Sequence, residues 1–519
     1  MSLPPFLARI HNAAGPLLGG LSESELGERL DGCSLVLEID AEAADDPAHR
    51  AGYLLAANLG ARLYPRLALD ATDELTAAAR ERALSINPGC VFGPPRGRAL
   101  VLSWRGGEPG ADRVTVSADG WNVLIDGVRP ACSGANPLSA MAAAALGAGE
   151  LFRALFADRL PHGRAAPEAF AINLVTFGAP AHAPPPADEV DLGTVHLAGC
   201  GAVGQAFVAA LRELRVTGTL VAVDHECVDE GNLQRYVLSV ASDVGTSKPK
   251  LIERALADSG VAVEPVEGTW GADERTAPGR ETVLSALDSK QGRIELQGGL
   301  PRELFNAWTQ PEDIGVSRHQ AFGTDPCLAC LAWPRRQRPS RSEMIAAALG
   351  ESELRVVHYL GNETPVGQPL AAEMIQATGR LSLPSDAATW AERSLLDDLI
   401  ERYQLQRGPL EALAGLRVGE LYRDAVCAGM LIERGAGREV DVSVPLAHQS
   451  ALAGILLATT LVVDRVPELR ELRPDATIAK YDVLRGGEQH WLRPRRREQR
   501  CICSDPDFVA AFATRWGAN

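Results

Sequence analysis

Four side-chain types suited to phosphate chemistry follow one another in DHECVDEGNLQRYVLSVASDVGTSKPK, the stretch from Asp224 to Lys250. They are the carboxylate of Asp224, the amide of Asn232, the guanidinium of Arg235 and the ammonium of Lys248. Adenylyl transfer builds negative charge on the α-phosphate and on the departing pyrophosphate. Arginine and lysine neutralise such charge, and an asparagine amide orients it. Because hydride transfer needs no such cluster, the stretch favours adenylyl transfer. The alternative is a solvated surface loop.

A glycine-rich turn comes just before this stretch. In VHLAGCGAVGQAF, Gly199, Gly201 and Gly204 have the spacing G-x-G-x-x-G, which allows a tight strand-to-helix turn and close approach of the backbone to a phosphate. Asp224 ends the apolar run TLVAVD, about 20 residues further on, where a ribose-binding acid belongs in such a fold. Up to this point, NAD and ATP fit equally well.

A carboxylate further along the chain, that of Asp288, completes the set of predicted nucleotide-site residues. Asp288 ends the apolar run TVLSALD, which predicts a strand. A carboxylate at that strand end could hold Mg²⁺ on the phosphates of a nucleotide. These residues together favour ATP over NAD.

The segments GCGAVG, VDHECVDEGNLQRY, DVGTSK and ALDS closely resemble the ThiF/MoeB/ubiquitin-activating superfamily. Members of that superfamily adenylate the C-terminal glycine of a ubiquitin-like protein. The resemblance implies ATP and Mg²⁺ as ligands. It implies a ribose contact for Asp224, phosphate contacts for Asn232, Arg235 and Lys248, and a magnesium contact for Asp288.

The sequence departs from the family pattern at three positions. Glu226 replaces the second acid of the pattern and keeps its charge, so it remains a predicted nucleotide-site residue. Gly231 stands where the family has a serine, and Tyr236 stands where it has a glutamine. Tyr236 loses an amide, which changes the expected contact with ATP at that position.

The chain divides into two α/β patterns. We predict an inactive adenylation-like domain at 1–177, a Pro/Ala-rich linker at 178–189, and an active ThiF-type domain at 190–519 with a polar, mostly helical insertion and catalytic-cysteine region at about 331–430. The predicted fold is therefore α/β, with two Rossmann-like halves, the first degenerate and the second active. This layout resembles the activating enzymes of bacterial ubiquitination-like (Bil-type) anti-phage operons.

Two close cysteine pairs predict a structural zinc site. Cys327 and Cys330 form C-x-x-C, and Cys501 and Cys503 form C-x-C, so four thiolates are available for tetrahedral Zn²⁺. The superfamily commonly has a four-cysteine zinc site, although the C-x-C spacing departs from its usual second pair. The alternative is two unrelated buried pairs.

Cys427, in RDAVCAGMLIERGAG, is the candidate acyl carrier. In the superfamily, a cysteine in a comparable context takes the activated glycine as a thioester, and AMP is a good leaving group for thiolate attack. The alternative is a buried packing cysteine. We predict packing roles for the five remaining cysteines, Cys33, Cys90, Cys132, Cys200 and Cys227.

Composition narrows the class of protein. The chain has 519 residues and a net charge of −16, which disfavours non-specific binding to nucleic acid. We expect no apolar run of the roughly 18 residues that span a bilayer, and the N-terminus lacks the apolar core of a signal peptide, so the sequence predicts a cytoplasmic protein. The arginine runs PRRQRPSR and RPRRREQR are interpreted as solvated surface.

The leading hypothesis is therefore an enzyme that activates a ubiquitin-like β-grasp protein and passes it to a conjugating-enzyme-like partner, either as one chain or as a homodimer. A sulfur-carrier adenylyltransferase of the ThiF/MoeB type would use the same first step. An NAD-binding or inactive scaffold is the third alternative, and the group of Asn232, Arg235, Lys248 and Asp288 argues against it.

Overall fold

The computed structural model describes residues 10–11, 14, 17–18, 21–127, 134–185, 189–310, 313–332 and 445–517. From residue 333 onward the predicted insertion lies outside these ranges, and so does Cys427.

The first α/β half begins with a helix whose capping box is formed by Ser22 and Glu25. Its elements, in chain order, are α1 (Glu23–Asp31), β1 (Cys33–Glu38), α2 (Ala41–Asp45), α3 (Pro47–Ala61), β2 (Arg66–Asp70), α4 (Asp73–Ile86), β3 (Val91–Phe92), β4 (Arg98–Ser103), β5 (Arg113–Asp119), β6 (Asn122–Ile125), α5 (Pro137–Leu155) and β7 (Phe170–Asn173).

The second α/β half begins with a long strand that leads into the glycine turn. Its elements are β8 (Val190–Ala198), α6 (Ala202–Leu211), β9 (Val216–Asp224), α7 (Lys248–Ala255), β10 (Gly260–Glu267), β11 (Thr282–Ser285), α8 (Lys290–Gly298), β12 (Glu303–Thr309), β13 (Asp313–His319), α9 (Leu328–Ala332), α10 (Ala447–Arg465), α11 (Pro467–Arg470), β14 (Ile478–Asp482) and α12 (Pro506–Trp516). A 3₁₀ helix, Glu230–Gln234, lies between β9 and α7.

The two halves repeat one sheet topology. The strand order is β3-β2-β1-β4-β5-β6-β7 in the first sheet and β10-β9-β8-β11-β12-β13-β14 in the second. In each sheet the first five strands of that order are parallel, and the last two join in antiparallel pairing. The predicted fold class, two Rossmann-like α/β halves, is confirmed, and the shared strand order shows a repeat that the sequence does not display.

Small residues let the helices approach the sheets closely. A Cβ at Gly147 of α5 would come within 2.5 Å of a methyl of Leu102 and 2.7 Å of a methyl of Val116. A Cβ at Gly454 of α10 would lie 2.4 Å from the Cβ of Ala206 in α6. Any larger side chain at these glycines would push the helix away from its partner, so the packing depends on them.

α10 joins the two halves into one unit. It packs against α6, β12 and β13 of the second half and also against α5 of the first half. His448 of α10 lies against Phe152 of α5, with ring centroids 5.8 Å apart. Burial holds the pKa of His448 at about 4, so the ring is neutral at ordinary pH.

Two helices are long and apolar enough to cross a membrane by length and composition alone, whereas we expected no apolar run of about 18 residues. α5 and α10 both pass that test, with mean hydropathies of 1.3 and 1.2. However, 94% and 100% of these two apolar windows are buried inside the protein. Both helices owe their composition to their place in the core.

Candidate nucleotide site and candidate metal centre

The glycine turn lies where the strand order reverses. β8 is flanked by β9 on one side and β11 on the other, so the loops after β8 and β11 leave a crevice at the carboxyl edge of the sheet. Gly199 has a φ of +96°, and a Cβ there would lie 2.9 Å from the carbonyl oxygen of Ala286. A Cβ at Gly204 would lie 2.2 Å from the carbonyl oxygen of Gly199. These contacts explain why two of the three positions accept only glycine.

Asp224 bonds directly to this turn. Its Oδ2 accepts a hydrogen bond from the backbone N–H of Cys200 at 2.9 Å, and its Oδ1 accepts one from the backbone N–H of Glu226 at 3.0 Å. The carboxylate thus lies at the end of β9 beside the glycine turn, which is the position required to bind a ribose hydroxyl.

Lys248 is the most deeply placed cation of the site. Only 2% of its side chain is exposed, and its ammonium forms an ion pair with Glu226, whose side chain is 58% exposed. The ammonium also lies 5.2 Å from the ring centroid of Tyr236, and the guanidinium of Arg235 lies 5.4 Å from the same centroid. Tyr236, which stands where the family has a glutamine, therefore supports both cations of the site through its ring.

The charge of Lys248 persists despite its burial. Burial alone would lower its pKa, but Tyr236, Glu226 and Asp224 outweigh that effect and raise it. Burial likewise disfavours the ionised form of Glu226, yet Lys248 brings the pKa of that carboxyl below its usual value. At neutral pH the site holds a fixed ammonium next to the glycine turn.

The hydroxyl of Tyr236 reaches the glycine turn itself. A Cβ at Gly201 would lie 3.3 Å from that hydroxyl oxygen, and Tyr236 is buried. Burial raises the pKa of Tyr236, so the hydroxyl stays protonated. The sequence pattern indicates only the loss of an amide at Tyr236. The signal that points to a further role for Tyr236 is its position directly after Arg235.

Asn232 shapes the loop on which these residues lie. Its Oδ1 accepts a hydrogen bond from the backbone N–H of Asp229 at 3.2 Å, and its Nδ2 donates to Asp229 Oδ2 at 2.8 Å. The first of these bonds and a reciprocal one, from the backbone N–H of Asn232 to Asp229 Oδ1 at 2.9 Å, cap the 3₁₀ helix Glu230–Gln234. The predicted phosphate contact would therefore use the second Nδ2 hydrogen.

Asp288 lies on the opposite side of the glycine turn from Asp224, in the loop between β11 and α8, and is exposed. Arg293 of α8 donates two hydrogen bonds to the carbonyl oxygen of Leu287, at 3.1 and 2.6 Å. Burial lowers the pKa of Arg293 to about 10. An exposed carboxylate on a loop anchored in this way fits Mg²⁺, which typically binds one or two carboxylates together with nucleotide phosphates.

The two predicted cysteine pairs meet in space. The four sulfurs of Cys327, Cys330, Cys501 and Cys503 all lie within 4.8 Å of one another, and all four residues are buried. The Sγ atoms of Cys327 and Cys501 are 3.4 Å apart, and so are those of Cys330 and Cys503. Both separations exceed the roughly 2.05 Å of a disulfide. Tetrahedral Zn²⁺ with bonds of about 2.3 Å requires four such converging thiolates, so this group fits zinc.

Two arginines of the second arginine run donate hydrogen bonds to the backbone around the four cysteines. Arg495 donates to the carbonyl oxygen of Cys330, and Arg497 donates to the carbonyl oxygens of Gly323 and, at 3.0 Å, Cys503. The interpretation of RPRRREQR as solvated surface is wrong for Arg495, which is only partly exposed, whereas Arg497 is exposed as predicted. Both arginines tie together the backbone segments that carry the cysteines. The other run, PRRQRPSR, lies outside the described residues.

The cysteines that were predicted to have packing roles differ in how deeply they are buried. Cys33, Cys90 and Cys200 are buried, as predicted, and burial raises the pKa of each thiol. Cys227 is exposed, so the prediction is wrong there. It lies in the loop after β9, where its backbone pairs with Ser247, rather than in a packed strand. Cys132 and Cys427 lie outside the described residues.

The corresponding edge of the first sheet carries two partly exposed ion pairs, Arg105–Asp70 and Arg113–Glu38. Arg105 holds Asp70, at the end of β2, through two hydrogen bonds of 2.5 and 2.6 Å. Arg113 donates to Glu38, at the end of β1, at 2.7 Å and to Ser103, at the end of β4, at 3.0 Å. Side chains therefore occupy the switch point where the second sheet has its glycine turn.

Comparison with known proteins agrees with this fold. Residues 188–298 match the model of the ThiF family. The whole chain is similar to the uncharacterized protein y4jF of Sinorhizobium fredii, with 32% identity over 538 residues, covering 100% of this chain and 98% of the relative. The chain belongs to the same family as that protein, and its second half contains a ThiF-family domain.

Solved structures show more distant similarity. E. coli MccB crystallised with MccA is 16% identical, with 30% of this chain and 48% of that chain covered and a TM-score of 0.24. E. coli TcdA, a tRNA N6-threonylcarbamoyladenosine dehydratase, is 20% identical, with 22% and 51% covered and a TM-score of 0.20. The matches thus span about half the length of these two chains.

Proposed function

We propose that the chain is an ATP-dependent activating enzyme for a ubiquitin-like protein. It adenylates the C-terminal glycine of a small β-grasp protein, takes the acyl group as a thioester and delivers it to a conjugating-enzyme-like partner. The two-half layout supports a place in a bacterial ubiquitination-like anti-phage system. The observation that carries the proposal is the buried Lys248 ammonium, held by Glu226 and by the ring of Tyr236, whose hydroxyl lies at Gly201 of the glycine turn.

In the first step, a carboxylate oxygen of the substrate glycine attacks the α-phosphorus of ATP. The bond from that phosphorus to the oxygen bridging the β-phosphate breaks, and pyrophosphate leaves with the electron pair. Negative charge grows on both fragments. Lys248 and Arg235 supply fixed positive charge, and the backbone amides of the glycine turn bind the phosphates at the start of α6.

Two aspartates position the nucleotide on either side of the glycine turn. Asp224 accepts a hydrogen bond from a ribose hydroxyl, and its contact with the N–H of Cys200 fixes its orientation. Asp288 would hold magnesium, which would supply positive charge to neutralise the phosphates and the departing pyrophosphate. NAD binding and hydride transfer would not require the buried ammonium of Lys248, because no phosphate charge develops in that reaction.

In the second step, the thiolate of Cys427 attacks the acyl carbon. The bond from that carbon to the phosphate oxygen breaks, AMP leaves, and the thiol proton passes to solvent. Cys427 lies outside the described residues, so the proposal rests here on its sequence context. A zinc ion held by Cys327, Cys330, Cys501 and Cys503 would be structural, because four thiolates leave no open coordination position.

The first half serves as an inactive partner domain. Its switch point carries the Arg105–Asp70 and Arg113–Glu38 ion pairs, and it lacks a glycine turn. We propose domain boundaries at 1–177, 178–189 and 190–519. One nucleotide is then bound per chain.

Equilibrium binding of nucleotides to the full-length chain tests the proposal. We expect about one Mg-ATP per chain, no competition by NAD, and loss of ATP binding in Lys248→Met. The matched control is Lys250→Met, because the Lys250 ammonium is exposed and pairs with Glu267 on the surface. Tight NAD binding, or equal ATP binding by Lys248→Met and wild type, would refute the assignment.

A further inference from the structure

The loop that carries Asn232, Arg235 and Tyr236 is held from behind by the first half of the chain. Arg62, directly after α3, is buried and donates to the carbonyl oxygens of Leu233 and, at 3.0 Å, of Ser239. Asn58 of α3 donates to the carbonyl oxygen of Val237 at 2.8 Å. Two side chains of the first half thus bind three backbone carbonyls of residues 233–239 in the second half.

The arrangement is rigid on both sides of the loop. Arg62 also donates to Asn58 Oδ1 at 2.8 Å, so the two side chains orient one another. On the other side, Gln205 Oε1 of α6 accepts hydrogen bonds from the backbone N–H of Ser239 at 3.2 Å and from its hydroxyl at 3.0 Å. Ser239 therefore connects Arg62 to the residue directly after Gly204 of the glycine turn.

A cation at this position is costly unless every donor has an acceptor. Burial lowers the pKa of Arg62 to about 9. The described acceptors are carbonyl and amide oxygens, which arginine can engage together because its planar guanidinium presents donors in several directions. The three oxygens that Arg62 binds are Asn58 Oδ1 and the carbonyl oxygens of Leu233 and Ser239. Neither the compact ammonium of a lysine nor an apolar side chain could bind all three.

We infer that Arg62 and Asn58 are positioning residues for nucleotide binding, so that the first half is needed to hold the 232–236 segment against the glycine turn. The inference rests on the proposed function, in which Arg235 and Tyr236 act on the nucleotide. Arg62 itself does not touch the nucleotide. Its carbonyl partners belong to Leu233, the residue after Asn232, and to Ser239, three residues after Tyr236. A shift of these two carbonyl groups would therefore also move the side chains of Asn232 and Tyr236.

The test compares the full-length variants Arg62→Met and Asn58→Ala with Arg50→Met. Arg50 is also in α3, but it pairs at the surface with the exposed Glu74 of the same half. Hydrogen–deuterium exchange of the amides at 229–240 and the Kd for Mg-ATP are measured on each variant, with metal content as a check of folding. Asn58→Ala is the milder change and carries the test if Arg62→Met fails to fold.

We expect faster exchange at 229–240 and at least about a tenfold rise in the ATP Kd for Arg62→Met, a smaller rise for Asn58→Ala, and wild-type behaviour for Arg50→Met. A folded Arg62→Met with wild-type ATP affinity would overturn the inference. If wild type binds no ATP, the proposed function fails. Faster exchange in Arg62→Met would then still show that the first half holds the loop, whereas unchanged exchange would overturn that too.

Discussion

The ammonium of Lys248 lies 5.2 Å from the ring centroid of Tyr236, in a chain whose family pattern has glutamine at the tyrosine position. Tyr236 is buried between Lys248, Arg235 and the glycine turn. The ring provides a face for two cations, and the hydroxyl reaches the turn. Tyrosine in place of glutamine therefore removes one amide and adds an aromatic ring that contacts Lys248 and Arg235, the two cations proposed to bind the phosphates.

Removing this ring should weaken nucleotide binding. For Tyr236→Leu we expect loss of two cation–π contacts, each worth on the order of 0.5–2 kcal/mol, and a rise in the ATP Kd of about tenfold or more. Tyr236→Phe keeps the ring and should stay within a few-fold of wild type. Isothermal titration with Mg-ATP checks both variants. Equal affinities for Tyr236→Leu and Tyr236→Phe would show that the ring does not position the cations.

The four-cysteine centre should bind about one zinc per chain. Cys327→Ser and Cys501→Ser should each lose the metal and lower the Tm by several degrees, because metal binding to a saturated site contributes to folding stability. Metal analysis and thermal unfolding measure these effects. Cys227→Ser is the control, since Cys227 is exposed and lies outside the cluster. A metal-free wild type purified under reducing conditions would contradict this prediction.

Cys427 should carry the acyl group. Incubation of wild type with ATP and a β-grasp protein ending in glycine should give a larger species that a thiol reductant removes. Cys427→Ala should not form it, yet should still exchange pyrophosphate, because adenylation precedes transfer. Gel electrophoresis without reductant detects the species.

Other outcomes of this experiment are informative. If Cys427→Ala still forms the labile species, another cysteine carries the thioester. If no labile species forms in any variant while pyrophosphate exchange persists, sulfur-carrier activation becomes the better account.

The sequence predicted those parts of the fold that local patterns determine. The glycine spacing predicted the turn after β8, and the position of Asp224 predicted its place at the end of β9. Hydrophobic patterning predicted two α/β halves. The identical strand order of the two sheets was not predictable, because it depends on pairing between distant strands rather than on a repeated motif.

Long-range contacts account for most of what the sequence did not predict. Arg62 and the loop at 233–239 are about 170 positions apart in the chain, and no local pattern marks an arginine that donates to backbone carbonyls. Arg495 was interpreted as solvated surface for the same reason, since its bond to the carbonyl oxygen of Cys330 joins residues 165 positions apart. The apolar composition of α10 reflects burial between the two halves, which only the tertiary structure reveals.

ATP–pyrophosphate exchange with a glycine-terminated β-grasp protein tests the central claim most directly. We predict exchange by wild type that requires the terminal glycine and falls by at least about 100-fold in Lys248→Ala and Asp288→Ala, since each loses a fixed charge at the transferring phosphate. Both variants should retain the wild-type metal content. Near-normal exchange in both variants, or exchange that persists after removal of the terminal glycine, would contradict the account.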